Sequence, residues 1–168
     1  MLEISTQIKE FVGARADAIP DAVLTSTQPL VMRDLTSDWP MVAAAKDSAV
    51  NASAYLESFD SGKPLTAMAG DADIDGRIFY NSDMTGFNFR HQRMNLPEVI
   101  QTLIANSNQE IPPTLYVGST NVDNWLPGFR VDNDLALHGQ DPIASVWICN
   151  RSRIAAHYDF PTNIACCV

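Results

Sequence analysis

Apolar positions fall at helical spacing early in the chain and at strand spacing late. Ile8, Phe11 and Val12 lie between Ser5 and Gly13 at a spacing that predicts a helix stopped by the glycine. Pro29-Leu30-Val31-Met32-Arg33 reads as a strand. Asp38-Trp39-Pro40 predicts a helix start, with Asp38 as N-cap and Pro40 in the first turn, running to about Ser48. Asn51 to Ser58 predicts another short helix. From Leu65 the period changes: Leu65–Ala69 and Arg77–Asn81 read as paired strands joined through Asp71, Asp73, Asp75 and Gly76. That acidic run has the look of a calcium loop, but Ser82 stands where the twelfth-position Glu is needed, so a plain hairpin turn is expected. Asn95–Ala105 predicts a helix with Pro97 near its start and Val99, Ile100, Leu103 and Ile104 on its buried stripe. Thr114–Ser119 and Ile143–Cys149 read as strands, separated by a polar loop over Asn121–Asn133. The last run, Ala155–Val168, is strand-like and broken only by Pro161. Helices early and strands late make an α+β pattern.

Composition narrows the function classes. The 168 residues, 46% hydrophobic and 18% charged, suit a single folded domain with a real core. Eleven basic against twenty acidic residues give a formal charge of -9, which disfavours nucleic acid and anionic membrane surfaces as partners. The three cysteines, Cys149, Cys166 and Cys167, sit in apolar runs without a C-x-x-C pair, as reduced core cysteines do. No signal peptide is visible, and no stretch approaches the ~18 apolar residues of a membrane helix. A soluble, cytoplasmic protein is expected. Asn163–Val168 is an apolar run that stops where a core strand needs a partner, so the chain is expected to be a fragment.

The chemistry-bearing element is His157-Tyr158-Asp159. Residues i and i+2 of a regular strand share a face, so His157 and Asp159 could reach one metal. An imidazole and a carboxylate supply two ligands of a 2-His-1-carboxylate triad, which leaves positions for a chelating cosubstrate and O₂. The triplet alone is a weak signal, and a plain histidine beside a strand-end aspartate satisfies it equally.

Its flanks are more specific. Asn150-Arg151-Ser152-Arg153-Ile154-Ala155-Ala156-His157-Tyr158-Asp159, followed by Asn163 in an apolar run, resembles the metal strand of the cupin-like domain family. That family is related to JmjC oxygenases and to the asparaginyl hydroxylase of hypoxia-inducible factor. Pro29–Leu35 with Asp38-Trp39-Pro40 resembles the family's opening segment, and Pro113–Val117 resembles the strand that carries its tyrosine. The resemblance runs from about residue 28 to the end.

It implies a double-stranded β-helix (cupin or jelly roll), incomplete here, that binds Fe(II) and 2-oxoglutarate. Residues 1–168 would be one cupin-like domain, with 1–110 a mixed lead-in and 111–168 the first barrel strands. His157 and Asp159 would ligate the metal. Asn163 would contact the cosubstrate, and Tyr116 would meet its distal carboxylate. The sequence departs from the family at Ile154, where relatives often place a threonine for that carboxylate. The family's lysine and second metal histidine have no counterpart, since His91 and His138 lie upstream in polar surroundings. Arg153 or Arg151 could supply the missing cation. The residues themselves leave Tyr116 readable as a half-buried aromatic and the arginines as loop charges.

The function so implied is an Fe(II)/2-oxoglutarate-dependent hydroxylase, weakly metal-binding for lack of the distal histidine. A small-molecule cosubstrate is the expected partner. A protein substrate and a homodimer are further expectations from the resemblance. Cupin isomerases, lyases or dioxygenases without a cosubstrate are disfavoured, because no extra His or Glu stands beside His157. The alternative is a metal-free cupin-like binding module, with Trp39, Trp125 and Trp147 as core or interface anchors.

Overall fold

The computed structural model describes residues 6–160 and 162–168. The predicted Ser5 start of the first helix and the Pro161 break lie outside these residues. The central element is an antiparallel sheet in the order β4-β3-β5-β6, formed by Arg90–Met94 (β4), Leu65–Gly70 (β3), Thr114–Asn121 (β5) and Ser145–Cys149 (β6). Alternation along β3 and β5 buries Leu65, Ala67, Ala69, Leu115 and Val117 on one face. That face joins a core with Met41 and Leu56 from helices α2 (Pro40–Asp47) and α3 (Ala49–Glu57), and with Leu96, Val99 and Ile100 from α4 (Leu96–Asn106). The opposite face carries Thr66, Met68, His91 and Tyr116, all exposed or half-buried.

Helix α4 forms where predicted because its start is doubly capped. Asn95 accepts from the Glu98 backbone N–H at 2.9 Å, and Glu98 accepts from the Asn95 N–H at 2.8 Å. Val99 and Ile100 are buried, while Ile104, assigned to the same stripe, is 39% exposed. A smaller core gathers Ala14, Ile19, Val23 and Leu35, with Ile164 packed on it. Among the described residues, no helix is long and apolar enough to cross a membrane.

Several elements differ from the sequence reading. The segment before Gly13 is not helical: Lys9–Phe11 forms strand β1, paired in parallel with β2 (Leu30–Met32), so that Phe11 lies opposite Met32. Three apolar residues are too few to fix a helical period against that tertiary pairing, and Val12 is 82% exposed. Asp38 does not cap α2. Trp39 holds the N-cap position, and the Asp38 carboxylate pairs with Arg15 at 3.2 Å. The predicted polar loop contains helix α5 (Val122–Trp125), capped by the Asn121 side chain.

The predicted β3 hairpin is also replaced. Residues 72–74 coil into a 3-10 turn, with Asp75 left-handed at φ 48°, so the chain leaves the sheet. Arg77–Asn81 then builds its own small hairpin, with a Tyr80–Phe87 bridge, and the partner that β3 takes is β4.

The last run is the main departure from expectation. After β6 the Asn150 side chain accepts from the Leu115 N–H at 2.9 Å and donates to the Pro113 carbonyl at 2.9 Å. Arg151 then turns left-handed at φ 40°. Beyond the Arg153 bridge to Arg77, the described residues to Val168 form no strand or helix and join no β-ladder. The described residues therefore form a mixed helix-and-strand domain around one antiparallel sheet and do not close a complete double-stranded β-helix.

Candidate functional site

The His157 segment converges although it is not a strand. The His157 Nδ1 lies 2.9 Å from the Ala155 carbonyl. A carbonyl can only accept, so Nδ1 donates a proton there, and in the neutral ring it is Nε2 that carries the lone pair. That Nε2 lies 3.7 Å from Asp159 Oδ1. The other carboxylate oxygen, Oδ2, accepts from Asn163 Nδ2 at 3.1 Å. A backbone carbonyl thus holds the imidazole, an amide holds the carboxylate, and His157 Nε2 and Asp159 Oδ1 face each other. Outer hydrogen bonds orient metal-binding histidines and carboxylates in this way. Both side chains are open to solvent, at 61% and 57% exposure.

Cis donors at about 2.1 Å from an octahedral metal stand about 3 Å apart, so the observed gap closes with a small rotation of either side chain. His157 and Asp159 could therefore hold one cation between them as neighbouring donors. Among the described residues no group of three His, Cys, Asp or Glu is placed to hold a metal. His138 is engaged elsewhere, with the Ile19 carbonyl at 3.0 Å and Asp21 at 3.1 Å. His91 sits on β4 with its ring edge-on to Phe89, at a centroid distance of 5.5 Å.

Tyr116 and Arg153 make their contacts elsewhere. Tyr116 stands on β5 between Met68 of β3 and Cys149 of β6. Its ring lies over Gly118, where any Cβ would collide with it. Burial pushes the Tyr116 phenol above its ordinary value, and the neighbouring Cys149 adds to this. Arg153 donates its backbone N–H to the Gly76 carbonyl at 2.7 Å, and its guanidinium pairs with Asp75 at 2.7 Å. Ile154 is 47% exposed. Of the residues singled out from sequence, His157, Asp159 and Asn163 are brought together, while no hydrogen bond or ion pair among the described residues joins Tyr116 or Arg153 to them.

Sequence reasoning missed the surroundings of Arg153. Thr114, Asn150 and Arg151 line a polar cavity with it, and only the Asn that ends β6 hinted at a structured corner. A family model described as a cupin-like domain matches residues 16–168. No curated protein matches the chain.

Proposed function

The chain belongs to the cupin-like domain family, and from that premise we propose that it carries an Fe(II)/2-oxoglutarate oxygenase site of the JmjC-like kind. The observation that supports this best is the placement of His157 Nε2 3.7 Å from Asp159 Oδ1, each side chain held by its own outer hydrogen bond. Iron and 2-oxoglutarate, when bound, supply O₂ activation coupled to oxidative decarboxylation and hydroxylation of a substrate C–H bond.

The chain's own residues would position these groups. His157 and Asp159 hold the metal, and Asn163 sets the carboxylate and borders the cosubstrate. Tyr116 would offer its phenol hydroxyl to the distal carboxylate. Arg153 can serve that carboxylate only by exchanging Asp75 for it. With two protein ligands the metal is expected to be held weakly, without turnover. A cytoplasmic setting, a protein substrate and a homodimer remain parts of the proposal.

A second reading has its own support. Ile154 offers no hydroxyl, and Trp147 is 55% exposed on β6, as an interface anchor in a metal-free binding module would be. Calorimetric titration with Mn(II), with and without 2-oxoglutarate, separates the two. Tighter metal binding with the cosubstrate supports the oxygenase. Metal binding without that synergy supports a plain cupin, and no binding supports the module.

A further inference from the structure

The four-stranded sheet has two edges, and they are built differently. One edge is β4, which carries Arg90, His91, Gln92 and Arg93 in succession, all exposed. Charged side chains along an edge discourage another strand from adding to it. The other edge is β6, Ser145–Cys149, which has no charged residue and no proline. Its register shift against β5 puts the extra residue in β5, between Val117 and Thr120, so β6 itself runs without a bulge. Among the described residues, its only strand partner is β5.

Bonds already made tell which backbone groups of β6 face outward. The Asn150 N–H donates to the Leu115 carbonyl at 3.3 Å, and the Ala144 carbonyl accepts from the Val122 N–H at 2.9 Å. Ala144 and Asn150 thus turn their backbone groups toward β5. Alternation then points those of Ser145, Trp147 and Cys149 at the open edge. Side chains alternate as well. Val146 and Ile148 pack on the core, and Trp147, 55% exposed, stands on the opposite face of the sheet.

We infer that a second copy of this chain docks on this edge, its β6 antiparallel to the first about a two-fold axis at Trp147. Trp147 then lies opposite its counterpart and exchanges both backbone hydrogen bonds with it. Ser145 does the same with Cys149 of the second copy, because the outward-facing residues meet in this register. Val146 meets Ile148 of the second copy on the core side, and the two Trp147 rings pair on the other face. Charge selects the direction. Asp141, 86% exposed, precedes the strand, and the exposed Arg151 and Arg153 follow it. Antiparallel pairing sets the acidic end of one strand against the basic end of the other, whereas parallel pairing sets like against like. The inference rests on the homodimer of the proposed function and gives it an interface, but it draws on neither His157 nor Asp159.

The test is sedimentation velocity of the full chain with EDTA and a reductant present, which removes metal bridges and disulfides as causes of association. A reversible dimer should form, with a dissociation constant on the order of micromolar, as a short edge-to-edge interface gives. Trp147→Lys should weaken it at least about tenfold and leave the melting temperature of the dilute monomer unchanged, since the side chain is exposed. Ser145→Cys under mild oxidation reads the register. Positions 145 and 149 of one strand stand roughly 13 Å apart and cannot be bridged. The introduced thiol should therefore form a disulfide with Cys149 of the second copy, identified by peptide mass spectrometry. A monomer at every concentration up to about 1 mM overturns the inference. So does a dimer that Trp147→Lys leaves intact, which places the interface elsewhere. An oxidised dimer without the link to Cys149, as when the introduced thiol joins its own counterpart in parallel pairing, overturns it too. Asp159→Ala, which removes a ligand of the proposed metal site, should leave the dimer unchanged, so the two readings fail separately.

Discussion

Asn163 donates from Nδ2 to Asp159 Oδ2 at 3.1 Å, across four positions of a segment that belongs to no sheet. That bond turns the other carboxylate oxygen toward His157. If the pair is a metal half-site, Asn163→Leu lets the carboxylate rotate and weakens Mn(II) binding by about tenfold, the usual scale for an outer hydrogen bond to a ligand. Calorimetry should show this with an unchanged circular dichroism spectrum, since Asn163 is exposed.

The most consequential buried polar residue is Asn133, at 3% exposure. It accepts from the Met41 N–H at 3.0 Å and donates to the Tyr55 hydroxyl at 2.9 Å and the Phe129 carbonyl at 3.0 Å. It thereby joins α2, α3 and the 3-10 turn at Phe129–Val131. Asn133→Ala leaves these groups unpaired and should cost roughly 2–4 kcal/mol in urea unfolding, with an unchanged slope.

Arg130 holds three carboxylates: Asp134 at 2.8 Å, Asp123 at 3.0 Å and Asp141 at 3.0 Å. Burial alone lowers the guanidinium, and the three hydrogen bonds more than reverse that, so Arg130 stays charged at any ordinary pH. Its partners are largely solvated, which limits the gain. Arg130→Met should destabilise by about 1–2 kcal/mol, and more at low salt than at high salt.

Acid should loosen the first strand pair. The Arg33 guanidinium, through its hydrogen bond and then its charge, holds the Glu10 carboxyl below its ordinary value of 4.5. A lowered folded-state value means that the contribution is present above the unfolded value and lost as pH falls through the folded one. Amide exchange at Phe11 should therefore accelerate, relative to the core sheet, as pH drops below about 4.5. Arg33→Gln should remove that acid dependence.

Legibility followed how local the determinants were. Helix α4 could be read because Asn95, Pro97 and Glu98 encode its start within four residues. Strands β2 and β5 could be read because branched and aromatic residues bounded by Pro suit a pleated surface. Strand β1 could not, because only its parallel partner, with Lys9 opposite Leu30, selects strand over helix. Arg77–Asn81 misled for the converse reason: its composition suits a strand, but the left-handed Asp75 turns it out of the sheet. At the site, the His-x-Asp spacing was visible, whereas the Ala155 and Asn163 bonds that orient it depend on the fold of the tail.

If His157 and Asp159 form the metal-facing pair of the chain, Mn(II) bound there must broaden the ring protons of His157 before those of the other histidines. The three histidines are separately placed, with His138 held by Asp21 and Ile19, His91 on β4, and His157 beside Asp159. The His157 ring resonances should broaden at the lowest Mn(II) concentration, and Asp159→Ala should abolish this preference. Equal broadening of all three rings, or His157 broadening that survives Asp159→Ala, would contradict it.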